Sequence, residues 1–243
     1  MANWTDPRVA GSSRSALGVD RVASDAGLRS YMLSVYNYMA SGVLLSGIVA
    51  YLFASSGMAA AVFTQPGFLK YVIIFAPLLM VFGFGAVAAR GSTAAMQAMF
   101  WAFAAVMGLS LSTIFIRFSE TSIATAFFAT AAAFVSLSLY GYTTKKDLSG
   151  FGTFLIMGVV GLLVASLVNL FVQSSVFALA ISAVGVLIFA GLTAYDTQRI
   201  KSLYFQVAGS DMVGKTAIMG ALTLYLDFVN MFTFLLNLMG NRE

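Results

Sequence analysis

The sequence predicts an all-α integral membrane protein with seven transmembrane helices, and three observations carry that expectation. Hydrophobic residues make up 60% of the chain and charged residues only 9%, with a mean hydropathy of +0.92, against roughly 25% charged in a soluble domain. The apolar residues gather into seven runs, near 30–53, 70–89, 94–116, 121–142, 151–173, 176–198 and 215–239. Each is close to the ~20 residues that cross the hydrocarbon core of a bilayer as a helix. The breaks between the runs are short, so no separate soluble domain fits among the 243 residues.

Residues 1–29 are the polar outlier, a Ser/Ala/Gly-rich stretch carrying Arg8, Arg14, Arg21 and Arg29. A disordered cytoplasmic arm is expected there, ahead of a membrane domain over residues 30–243. It does not read as a signal peptide, because Arg14 and its neighbouring serines interrupt the only apolar stretch, Val9 to Val19, where a signal needs an unbroken core. Between the first two runs stand Gln65, Pro66 and Gly67, and between the next two Arg90, Gly91 and Ser92. Further breaks fall at Arg117 to Glu120, at Thr143 to Gly150 with Lys145, Lys146 and Asp147, at Ser174 and Ser175, and over a last polar stretch from Arg199 to Gly214. Glycine, proline, serine and charge end apolar periodicity, which is why each reads as a turn.

With the N-terminus in the cytoplasm, this arrangement puts all of the 13 Lys and Arg residues inside except Lys70, Arg117 and Arg242, the asymmetry that orients membrane proteins. The formal charge of +4 then reflects topology, and no nucleic-acid surface is needed to explain it. In the fifth run, Gly158, Gly161, Ala165 and Asn169 share a helical face. They predict a close helix–helix seam with Asn169 supplying an interhelical hydrogen bond.

The candidate functional residues are Asp196 and Asp227, in the contexts GLTAYDTQRIK and GALTLYLDFVNMF of the last two runs. An ionisable group inside a bilayer costs several kcal/mol and marks a functional site by default. In the seventh run Gly220, Thr223, Asp227, Asn230 and Asn237 fall within roughly a 100° arc at 3.6 residues per turn. A polar stripe of that kind faces other helices or water, not lipid, and so predicts a helix surrounded by its neighbours. Asp196 stands three residues before Arg199, a spacing that equally allows an ordinary ion pair on a helix surface. With neither cysteine nor histidine in the chain, thiolate chemistry and the usual imidazole proton switch are both excluded.

The run LYGYTTKKDLSGFGTFLIMGVVGLLVASLVNLF, then GLTAYDTQRIK, then GALTLYLDFVNMFTFLLNLMG, resembles the Bax inhibitor family of membrane proteins in its bacterial branch. The resemblance covers the chain from about residue 30 to the end and is tightest from Tyr140. It implies six helices in two three-helix layers around a central C-terminal helix, residence in the bacterial inner membrane, and a pH-sensitive calcium leak. It implies that Asp196 and Asp227 are a hydrogen-bonded pair that senses pH and transiently meets calcium, with Arg90 as the candidate latch and Thr223, Asn230 and Asn237 lining the pathway. Calcium would be cargo and protons the regulator, with no cofactor and no enzymatic reaction.

The expected mechanism is electrostatic. Two carboxylates in a poorly solvated site do not both ionise readily, so they hold a proton between them and titrate in two separated steps. Two carboxylates with nearby amide oxygens suit a hard divalent cation but bind it weakly, as conduction requires. The alternative is a non-conducting regulator that restrains a partner such as a membrane protease or a stress factor. An aspartyl intramembrane protease would also carry two aspartates on its last helices, but in that family the second lies in a Gly-x-Gly-Asp pattern and here it follows Leu-Tyr-Leu. A retinal protein would need a lysine within the last run, where only Lys215 stands, at its end.

Overall fold

The computed structural model describes residues 7–241, with side chains from Asp25 onward. Among the described residues there are nine helices and no strand: α1 (Pro7–Ser55), α2 (Met58–Thr64), α3 (Leu69–Arg90), α4 (Thr93–Leu111), α5 (Ile114–Arg117), α6 (Glu120–Thr143), α7 (Ser149–Val172), α8 (Ser175–Val207) and α9 (Met212–Met239). Seven segments are long and apolar enough to cross a membrane: residues 25–55 of α1, α3, α4 with α5, and α6 to α9.

Local chemistry sets the boundaries. Ser92, Ser119 and Ser174 each precede a helix and accept a hydrogen bond from the backbone N–H three residues on, at 3.2, 3.4 and 3.3 Å. That satisfies a donor the first turn leaves orphaned. The break between α4 and α5 falls where Ser112 and Thr113 turn their hydroxyls onto the carbonyls of Leu109 and Ser110, local bonds that compete with the helical ladder.

Contacts divide the long helices into two layers. α1 and α3 pack on α4, α6 and α7 pack on α8, and α9 touches α1 and α4 on one side and α6 and α8 on the other. Over its most apolar stretch α9 is 61% buried, while every other span lies between 11% and 33%. The C-terminal helix is therefore the central one, as the polar stripe and the resemblance both lead one to expect. One cross-link shows how it is held. The Ser46 hydroxyl of α1 donates to the carbonyl of Ala104 in α4 at 2.6 Å, so the fully buried Tyr225 hydroxyl of α9 donates to Ser46 Oγ at 2.7 Å. The rings of Phe100 and Phe103 stand edge-on to Tyr225, with centroids at 6.3 and 5.5 Å, a favoured aromatic geometry.

Three features differ from the sequence reading. The first span reaches back to Asp25, with Leu28 already buried, and helical backbone continues to Pro7. Residues 1–6, the side chains of Arg8, Arg14 and Arg21, and Arg242 lie outside the described residues. The sixth span does not end near residue 198 but runs to Val207, because the polar stretch is amphipathic: Ile200 and Tyr204 are buried four residues apart on the face that carries Asp196, while Arg199 and Ser202 point outward. The seam of α7 keeps Gly158, where a β-carbon would stand 2.8 Å from Ile188 of α8, and the partly buried Ala165, but not the other two expected residues. Gly152, Leu155 and Leu162 are the buried ones, Gly161 faces open space, and Asn169 accepts from the Ser174 N–H at 3.1 Å, closing the turn into α8 instead of bonding another helix.

Candidate functional site

Asp196 and Asp227 come together in the structure. α8 and α9 are antiparallel, joined by residues 208–211. At 1.5 Å per residue Asp196 lies ~17 Å and Asp227 ~23 Å along its helix from that connection, so the extension of α8 to Val207 is what brings the two to similar depth. Both side chains are buried, at 6% and 4% exposure, and their carboxyls stand near enough to interact. The second oxygen of Asp227, Oδ2, is buried without a hydrogen-bond partner.

Neighbouring residues press the site shut. Thr193 and Thr197 flank Asp196, fully buried, each hydroxyl donating to a carbonyl one turn back at 2.8 and 2.7 Å. The Thr197 hydroxyl also reaches Ser138 Oγ of α6 at 3.4 Å, and the Tyr36 side chain of α1 stands beside both. This places an uncharged polar cluster from three helices one residue away from the aspartate pair. On α6, Gly141 admits the backbone of α8: a β-carbon there would stand 2.2 Å from the Ala194 carbonyl oxygen. Only glycine permits that approach.

Arg199 is the cation beside the pair. Its Nη1 lies 4.0 Å from Asp196 Oδ1, with the guanidinium side chain 59% exposed, a geometry worth little as an isolated surface pair. Arg90 is not brought there. It is exposed at the end of α3, a helix that packs mainly on α4, and it forms no ion pair among the described residues. Thr223, Asn230 and Asn237 are half-buried along α9, and each donates to the carbonyl four residues earlier at 3.1, 2.8 and 2.8 Å. Each thus spends one donor within its own helix, while the amide oxygens of the two asparagines accept no hydrogen bond among the described residues.

A bound metal finds no ready cage here: among the described residues no third acidic side chain joins the two aspartates. The spacing of Asp196 and Arg199 in the sequence allowed the ion pair that the structure shows, whereas sequence reasoning missed the Tyr36–Ser138–Thr197 cluster. The run Thr193, Asp196, Thr197 carries a helix-spaced polar face that could have revealed part of it.

The family described as "Inhibitor of apoptosis-promoting Bax1" matches residues 28–243. The chain belongs to the Bax inhibitor family. Relatives agree along nearly their whole length. The inner membrane protein YbhL of Escherichia coli K12 is 44% identical, over 90% of this chain and 94% of its own. An uncharacterized protein of Rickettsia prowazekii is 46% identical over 90% and 92%, and an uncharacterized membrane protein of Streptococcus pyogenes is 36% identical over 90% and 96%. The chain is a multi-pass membrane protein of this family, and the match begins at residue 28, the first buried position among the described side chains.

Proposed function

We propose that this protein is a pH-sensitive calcium leak of the bacterial inner membrane, with its N-terminus in the cytoplasm, gated by a proton shared between Asp196 and Asp227. The observation that carries the reading is their approach within a buried site. Ionised carboxylates only accept hydrogen bonds, so two that bond each other hold a proton between them. With the proton in place the contact ties α8 to α9. Without it, two like charges face each other in a poorly solvated site, a repulsion that α8 and α9 relieve by parting or by admitting a cation. An entering calcium ion would find two carboxylates and the free amide oxygens of Asn230 and Asn237, hard oxygen ligands too few to trap it, which suits conduction.

On this reading the protein conducts and catalyses no reaction. Orientation is supported by the cationic bias of the loops, and the compartment by the similarity to the inner membrane protein YbhL of Escherichia coli. The test is calcium uptake into proteoliposomes across pH with purified protein alone. Wild type is expected to show a pH-dependent flux that Asp196→Asn and Asp227→Asn each make flat. Flux from wild type with both variants keeping its pH profile refutes the gate. No flux from any of them favours instead a regulator acting through a partner such as a membrane protease. Arg199→Gln is expected to alter the profile and Arg90→Gln to leave it unchanged.

A further inference from the structure

The two layers part on one side of α9, leaving a cleft of about 810 Å³ between α1 and α6 with Phe228 at its back. Its walls are apolar, among them Leu33, Leu44, Val135 and Leu139, all half or more exposed. It runs from Arg29 to Leu44 along α1, ~22 Å at 1.5 Å per residue. One leaflet contributes ~15 Å of hydrocarbon and several more of headgroup, so the cleft spans one leaflet from headgroup to midplane.

Its two ends differ. Arg29 lines the end formed by the start of α1 and by Tyr142 of α6, and it has no ion-pair or hydrogen-bond partner among the described residues. At the same end Lys201 of α8 lies 4.8 Å from the Tyr142 ring centroid and donates to the Tyr142 carbonyl oxygen at 2.8 Å. An ammonium has three donors, so two remain. The opposite end, by Val43, Leu44 and Phe127, is lined by carbon alone. An apolar slot of one leaflet's length, with Arg29 in its lining at the interfacial end and Lys201 beside Tyr142 at that same end, is complementary to an amphiphile with one long chain in the slot and a negative head at its mouth.

We infer that this cleft is a binding site for one anionic phospholipid, taken from the leaflet at the Arg29 end, with an acyl chain between α1 and α6 and its phosphodiester on Arg29 and Lys201. The chain fills the gap that helix contacts leave between the two layers, and the head draws the first and sixth spans together. The site is independent of the calcium reading, since neither aspartate lines the cleft.

The test is native mass spectrometry of the delipidated full-length protein reloaded with an equimolar mixture of phosphatidylglycerol and phosphatidylcholine of the same chain length. Wild type is expected to retain one lipid and to prefer phosphatidylglycerol. Arg29→Gln and Lys201→Gln, both at positions outside the buried core, are each expected to weaken that preference and together to bring it to parity. Ala131→Phe, which fills the slot, is expected to lose retention of both lipids. Equal retention of the two lipids by wild type, or a preference that survives the double charge removal, overturns the assignment. If Ala131→Phe does not fold, the two charge variants decide the matter by themselves.

Discussion

α7 and α9 are both membrane-length apolar helices, yet they behave in opposite ways. α7 is among the most apolar spans and the least buried, at 11%, while α9 is the least apolar and the most buried, at 61%. In a soluble protein that order would be reversed. Lipid is as apolar as leucine, so no hydrophobic force drives α7 inward, and its Leu163, Leu167 and Phe171 face outward at no cost. What moves a helix to the centre is polarity that lipid cannot satisfy: Tyr225, Asp227, Asn230 and Asn237 must meet protein.

Glycine sharpens the contrast most strongly. A β-carbon at Gly141 would enter van der Waals space already held by the Ala194 carbonyl, whereas one at Gly161 on α7 meets nothing within 4 Å. Gly141→Ala is expected to force α6 off α8 and to destabilise at the upper end of the ~1–3 kcal/mol that overpacking costs. Gly161→Ala is expected to stabilise by about 0.5–1 kcal/mol, through lower backbone entropy in the unfolded helix. Thermal midpoints of the two variants in one detergent, read beside wild type, check both signs. A Gly141→Ala protein as stable as wild type would remove the claim that α6 and α8 meet backbone to backbone beside the aspartates.

The next effect is smaller and probes the other side of α9. Tyr225→Phe keeps the ring against Phe100 and Phe103 and removes only the hydroxyl that donates to Ser46. Ser46 stays bonded to Ala104, so no partner is stranded and the expected loss is about 1 kcal/mol. Ser46→Ala should cost more, since it leaves the fully buried Tyr225 hydroxyl unpaired. A lower midpoint for Tyr225→Phe than for Ser46→Ala would contradict the direction assigned to this chain of donors.

How far the sequence could be read follows from the same contrast. The polar stripe of α9 was legible because helical spacing makes four polar residues on one face improbable in a lipid-facing helix, and it correctly placed α9 at the centre. Hydropathy located all seven spans but closed α8 too early, since Arg199 and Lys201 lower the average while the buried side of the helix, Ile200 and Tyr204, continues. Arg90 and Arg199 could not be told apart as partners of the pair by type alone. The i, i+3 spacing was the only sequence signal that favoured Arg199, and the structure bears it out with the 4.0 Å contact to Asp196. In α7 the small residues were a partial guide: Gly158 packs on Ile188, but Gly161 on the lipid side looks the same in sequence as Gly152, which holds the ring of Tyr195.

The smallest effect belongs to an acid of the opposite kind from the buried pair. Asp147 is fully exposed in the turn between α6 and α7, and its Oδ1 accepts from the Ser149 N–H at 2.9 Å. That bond favours the charged form and holds the carboxyl below the usual carboxylate value. A carboxyl depressed on folding contributes stability that is fully present above the unfolded value of ~3.9 and is lost as pH falls through the folded one. Asp147→Asn keeps an oxygen able to accept the same bond, and Gln198 holds the turn independently through the Leu148 N–H and the Lys146 carbonyl. At pH 7 the variant is therefore expected to melt slightly below wild type, and the gap to close on acidification to about pH 3, where the wild-type carboxyl is losing its charge. A gap that widens in acid would mean that the Asp147 turn is held by something other than the charge of its carboxylate on the Ser149 N–H.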